Sequence, residues 1–419
     1  MKRHLGASLS ATLAVVAIAL LGGAYFAFAP AGAVAPAAAS TTMAAPSVQG
    51  STAATPADGT PSPSPVSPSP SPSPTPPPPL KLVSVSPRAK AANVSFAASI
   101  RVLFSVTLAA DTPLPSLTPR VPGVWKVEGA TLVFVLKGHL PIYTKVTVTL
   151  PGGARGIVSA AGARLGATHT TWFTVGGPSS VLRLQQLLAE LGYLPVRFAL
   201  PVAATATTKA HYVSALGREP ATLDLLSLKP LTGKFLWRYK HIPASLSSLW
   251  KRGASTVLIK GAVMAFESDH KLADDGVAGR TVWMALLKAT SRHLASKRTY
   301  DYVEVSRSLP QTLRVWRNGR VIYSSLCNTG IAGRPTDPGT FPVYARFLST
   351  TMSGTNPDGS KYHDAGVPYV AYFNGGDAVH GFIRGSYGWP QSLGCVELPY
   401  SAAAVVFRYD PIGTLVHVS

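Results

Sequence analysis

Residues 30 to 79 are rich in Ala, Pro, Ser and Thr and end in Pro-Ser repeats and the run Pro76 to Pro79. Such a stretch cannot bury a core. It divides the 419-residue chain into a short N-terminal segment and about 340 residues that can fold, room for two to four domains. Where it is extended it forms a polyproline spacer, rising about 3.1 Å per residue and reaching on the order of 150 Å. A disordered linker of no set reach is the equal alternative.

Ahead of the linker, Met1-Lys2-Arg3-His4 is a basic start, and no charged residue occurs from Leu5 to Ala29. About 20 apolar residues span a bilayer. Ala27-Phe28-Ala29 has the small-x-small shape of a signal-peptide cleavage site, but Pro30 follows it. Residues 1 to 29 therefore read as an uncleaved anchor with a cytoplasmic N-terminus, a signal peptide being the alternative. Either places the remainder in the cell envelope, outside the cytoplasm. The net charge of +20, with only 13% charged residues, suits an anionic partner such as a cell wall. No nucleic-acid motif or dense Lys/Arg run is present.

Residues 80 to 176 hold short β-branched runs: Leu82 to Val85, Ile100 to Phe104, Thr131 to Val135, Lys145 to Leu150 and Thr170 to Val175. Turn residues such as Pro151-Gly152-Gly153 separate them, which predicts a β-sandwich. The Val85-Ser86-Pro87 opening, the Trp125 to Phe134 hairpin and the Trp172-Phe173-Thr174 close resemble bacterial Ig-like domains.

Residues 178 to 290 read as mostly helical. Ser179 or Ser180 can cap a helix with Leu184, Leu187, Leu188 and Leu191 on one face, ended by Gly192. A second helix is predicted over 256 to 269 and a third around Trp283 and Leu286. Gln185 to Tyr193, Ala262 to Glu267 and Asp275 to Thr281 resemble the small three-helix peptidoglycan-binding domain, with Glu267 where that family carries Gln. An insertion of about sixty residues, 194 to 255, separates the first two helices and is expected to pack on them through Trp237, Tyr239 and Trp250.

Residues 299 to 419 alternate β runs with loops, and Asn318-Gly319 is a hairpin turn signal. Ser353 to Gly366 reads as a loop. The chemistry-bearing stretch runs from Asp377 to Leu398, with Cys395 fifteen residues after His380. A thiol near an imidazole can be an activated nucleophile, and amides around Gly394 and Cys395 can form an oxyanion hole. A small buried Cys and an ordinary loop His are the plainer alternative. Cys327, the only other cysteine, reads as a core residue. No zinc-like ligand spacing, phosphate-binding glycine loop or other sign of a metal or cofactor occurs in this domain.

His380-Gly381, Ser392-Leu393-Gly394-Cys395, Asn328-Thr329-Gly330, the Arg334 to Val343 run and Gly413 to Val418 together resemble the L,D-transpeptidases, which cross-link bacterial peptidoglycan. The resemblance implies a mainly-β catalytic domain and places the whole chain as a multidomain protein. It implies Cys395 as nucleophile and His380 as base. Gly394, Ser392 and Gly381 would serve the oxyanion or positioning, Tyr372 and Trp389 would contact substrate, and Asp377 could orient His380. The implied partners are peptidoglycan stem peptides and glycan, with carbapenem β-lactams as inhibitors. Two departures stand out: Leu393 replaces a His, and Glu397 replaces Arg or Asn. An anion there would disfavour a thiolate if it points inward. An L,D-carboxypeptidase or a non-catalytic wall-binding protein are the rival readings.

Overall fold

The computed structural model describes residues 77–200 and 228–419. The expected anchor, most of the linker and 201–227 of the expected insertion lie outside the described residues. Among the described residues no helix is long and apolar enough to cross a membrane.

The first module is a sandwich of two antiparallel sheets. Strands β1 (Leu82–Ser86), β2 (Ile100–Phe104), β4 (Gly123–Glu128) and β5 (Thr131–Leu136) form one sheet in the order β1-β2-β5-β4. Strands β3 (Ser116–Thr118), β6 (Lys145–Leu150) and β7 (His169–Thr174) form the other. Alternate residues of β2 and β6 point inward, so Ile100, Val102, Val146 and Val148 fill the space between the sheets.

Three longer helices follow: α1 (Val181–Glu190), α3 (Val257–Asp269) and α4 (Arg280–Ser291). Ser180 caps α1, its side chain accepting from the Arg183 amide at 3.3 Å. At ten residues α1 is too short to persist alone in water. Its stability comes from burying Leu184, Leu187 and Leu188, about 1.5–3 kcal/mol for each leucine. The described part of the insertion makes a β8 (Val196–Ala199) and β9 (Lys234–Trp237) pair and a one-turn helix α2 (Ala244–Ser247). Trp250 packs edge-on against Phe235, and Tyr239 against Trp316 of the following module.

The helices expected as a small domain share their apolar core with the last module. One continuous apolar cluster joins Leu187, Phe266 and Trp283 of the helices to Tyr302, Trp316 and Leu415 of the last module. Gly261 of α3 crosses against Gly413 so closely that a Cβ on Gly261 would lie 2.6 Å from the Gly413 carbonyl oxygen. The leucine periodicity that marks α1 says that a face is buried and not against which module.

The last module has two sheets. One runs β12 (Arg320–Leu326), β11 (Thr312–Arg317), β10 (Asp301–Ser306), β18 (Leu415–Val418), β13 (Gly339–Pro342). The other runs β14 (Ala345–Thr355), β15 (Lys361–Asn374), β16 (Asp377–Gly381), β17 (Val396–Leu398), with helix α5 (Tyr400–Val406) packed on it. Val303, Val315, Cys327, Phe373, Val379 and Val396 lie in the core between them. Cys327 is fully buried, as expected, and burial pushes its thiol up to about 12.

The expected loop over Ser353 to Gly366 is instead the outer half of the β14–β15 hairpin, paired out to Thr355 and Lys361. Its turn is tied by the Asn356 amide donating to the Ser360 carbonyl at 2.8 Å. Much of the hairpin's outer half is exposed, so it lacks the apolar alternation that marks a half-buried strand.

Candidate active site

The β16 strand ends at His380-Gly381, and β17 begins one residue after Cys395. The two strands pair in parallel, with Val379 opposite Val396 and His380 opposite Glu397. This pairing closes the fifteen-residue gap and brings Cys395 beside Ala378. Side chains alternate along strands. Ala378, His380, Cys395 and Glu397 therefore share one face, which opens on a cavity of about 490 Å³. His380, Ser392, Leu393 and Cys395 line that cavity, with Asp377 and Glu397.

His380 is buried, with its Nδ1 3.0 Å from the Gly381 carbonyl oxygen. An Nδ1–H donating there leaves Nε2 as the acceptor. Burial holds the imidazole below its usual range, so it is neutral at pH 7. Burial likewise pushes the Cys395 thiol up to about 12, against the Ala378 amide, which favours the thiolate; Asp377 and Glu397 push it further up. Both shifts favour neutral imidazole and thiol over a preformed ion pair. The thiol points toward the Gly376 carbonyl, Sγ to O 3.9 Å.

Ser392 shapes the turn. Its Oγ donates to the Cys395 carbonyl at 2.5 Å and accepts from the Gly394 amide at 3.2 Å. The Gly394 amide is thus engaged within the turn, which differs from the expected oxyanion donor. Gly381 admits close packing, since a Cβ there would lie 2.9 Å from the Tyr400 ring. Tyr372 packs with Ala378 and Cys395 under the site. Trp389 is half exposed and does not line the cavity, so the structure does not bring it to the thiol. Asp377 lies against Gly394, not against the imidazole in any hydrogen bond among the described residues. Burial and the neighbouring Asp337 push its carboxyl up to about 6.

Residues far upstream hold the cysteine turn. Thr336 is fully buried; its Oγ1 donates to the Gly394 carbonyl at 2.6 Å and accepts from the Gly330 amide at 2.9 Å. Asn328 pairs with Glu397 through backbone bonds in both directions. Sequence reasoning missed Thr336 as a site residue, along with Arg384. The Arg384 guanidinium grips Glu397, Nε to Oε2 at 2.8 Å and Nη2 to Oε1 at 2.7 Å. Arg384 stands thirteen residues before Glu397, and no local spacing signals that contact. Tyr362 and Asp364 of the hairpin also reach the cavity. No group of His, Cys, Asp and Glu among the described residues is arranged to hold a metal ion.

Residues 300–418 match the family of the L,D-transpeptidase catalytic domain, and residues 75–175 match the bacterial Ig-like domain. No curated protein matches the sequence. Similar solved structures include an L,D-transpeptidase from Mycobacterium smegmatis, 13% identical, covering 82% of this chain and 100% of that one, TM-score 0.27. L,D-transpeptidase 3 from Mycobacterium tuberculosis is 12% identical over 81% of this chain and 98% of that one, TM-score 0.27. The catalytic domain of the E. faecium L,D-transpeptidase acylated by ertapenem is 26% identical over 30% of this chain and 100% of that one, TM-score 0.26. An L,D-transpeptidase catalytic domain is thus found at residues 300–418, and a bacterial Ig-like domain at residues 75–175.

Proposed function

We propose that this chain forms 3→3 cross-links between peptidoglycan stem peptides through a Cys395 thioester. The observation that carries the reading is the parallel β16–β17 pairing, which sets His380 and Cys395 on one face of one cavity. His380 Nε2 takes the thiol proton as Sγ attacks the carbonyl of the donor's third residue. The C–N bond to the terminal D-Ala breaks, and the departing amine takes the proton from the imidazolium. An acceptor side-chain amine then attacks the thioester and gives its proton to His380; the new C–N bond forms as the C–S bond breaks, and His380 returns the proton to the Cys395 thiolate. With the Gly394 amide engaged, the Cys395 amide is the remaining backbone donor for the tetrahedral oxyanion.

The neutral resting pair fits a thiolate formed only as the substrate carbonyl arrives. Carbapenems are expected to acylate the same sulfur. The Ig-like domain and the helices, which share a core with the catalytic domain, would hold the cavity against the wall, and the cationic surplus favours that anionic surface. Peptidoglycan binding by the helices and an N-terminal anchor for residues 1 to 29 belong to the same reading.

The test uses the described chain from residue 77, wild type and Cys395→Ala, with purified tetrapeptide stems and mass spectrometry. A dimer lighter by one D-Ala, absent from the variant, is the expected result. Release of D-Ala without dimer would mean an L,D-carboxypeptidase. Neither product, with no carbapenem adduct on Cys395, would leave a wall-binding protein.

A further inference from the structure

Glu397 stands two residues after Cys395 and opposite His380 on the paired strand, so its carboxylate lies on the face that carries both reacting groups. It is buried, with a side chain 5% exposed. An uncompensated anion there would oppose the thiolate. The structure shows what compensates it. Arg384, on the loop between β16 and β17, grips both carboxylate oxygens in the bidentate geometry that suits guanidinium to carboxylate. Its Nη2 also reaches the Gln391 carbonyl at 3.3 Å. The guanidinium lies 4.7 Å over the Phe382 ring, and that ring stands edge-on to His380 at 5.9 Å. Glu397, Arg384, Phe382 and His380 thus form one contiguous wall of the cavity.

We propose that Arg384 is a positioning residue of this site, which holds the Glu397 carboxylate in an ion pair and off the Cys395–His380 pair, so that the two residues are matched to each other. The inference rests on the reading of Cys395 and His380 as the reacting pair. The other charges facing the thiol do not supply the same compensation. Asp377 stands beside it on β16, with Asp337 behind, and Asp364 and Tyr362 face it from the hairpin; Tyr344 and Tyr372 lie close to the sulfur. Arg334 is the only other arginine in the lining, and no hydrogen bond or ion pair ties it to Glu397. Without Arg384 the lining would hold three carboxyl groups against that one arginine. Glu397 acts on both groups in the same direction, raising the thiol and the imidazole, while Arg384 lowers the imidazole. Loss of Arg384 therefore leaves the Glu397 carboxylate uncompensated beside both groups, which opposes the thiolate. Loss of Glu397 removes an anion that raises the thiol and leaves a cation in the same wall.

The experiment measures the rate of iodoacetamide alkylation of Cys395 against pH, with the adduct located by mass spectrometry to separate it from Cys327. It uses the chain from residue 77 as wild type, Arg384→Gln, Glu397→Gln and the double variant, each first checked for a cooperative melt. At a fixed pH near neutral, below the thiol's midpoint, alkylation is expected to be roughly tenfold slower in Arg384→Gln. The rate should exceed wild type in Glu397→Gln and return toward wild type in the double variant. If Arg384→Gln does not fold, the faster alkylation in Glu397→Gln and its reversal in the double variant carry the test. A structural ion pair alone would change the melts and leave the alkylation rates of all four proteins together, which would overturn the proposal. Absence of any Cys395 adduct in the wild type would overturn the reacting-pair reading as well.

Discussion

Gly394 has φ +122°, a backbone conformation that L side chains rarely adopt, and a Cβ there would lie 2.2 Å from Asp377 Oδ1. Gly394→Ala must therefore both strain the turn and displace a carboxylate beside the thiol. We expect it to abolish carbapenem labelling of Cys395 and to lower the melting temperature, whereas Trp389→Ala should leave labelling within about twofold, as surface changes usually do. His380 supplies a pH prediction. Its pKa lies below the usual His range because it is buried. The base form is then present above that value, and activity should fall only as pH drops below about 6.5. A pH–rate profile of D-Ala release that still rises between pH 7 and 8 on an acidic limb would contradict the burial argument. At this scale the sequence shows the candidate pair, because a cysteine and a histidine are chemically distinctive. It does not show that Glu397 is paired, because Arg384 reaches it through a loop.

At the scale of elements, α3 carries Glu267 at a place where a glutamine is expected from the resemblance. Glu267 is buried and its Oε2 accepts from the Gly276 amide at 2.8 Å, tying the helix to the loop that follows. Burial pushes its carboxyl up to about 7, above the ordinary 4.5. A group raised on folding stabilises fully below its unfolded value, and that contribution is lost as pH rises through the folded value. Glu267→Gln should thus raise the melting temperature at pH 8 and leave it nearly unchanged at pH 5, which thermal melts at the two pH values would show. The helices and most strands of the chain were legible from periodicity and caps, as the Ser180 cap and the β6 alternation illustrate. The β14–β15 hairpin was not, since strands with little buried surface carry no apolar alternation to read.

For the whole molecule, the cluster from Leu187 and Phe266 to Trp316 and Leu415 makes the helices part of the catalytic module's support. Residues 299–419 expressed alone would expose Tyr302, Trp316 and Leu415, all nearly fully buried here. We expect that fragment to aggregate or melt without cooperativity, while residues 178–419 melt as one transition; an independently stable fragment in calorimetry would contradict a shared core. The modules, their order and the candidate Cys and His are determined by the sequence itself, because strand alternation, helix spacing and residue type are local properties written along the chain. Only the tertiary structure decided that the helices share a core with the catalytic sheets, that His380, Cys395 and Glu397 share a face, and that Arg384 closes on Glu397. Those contacts join residues whose separation along the chain carries no information about their meeting; parallel pairing and packing bring them together.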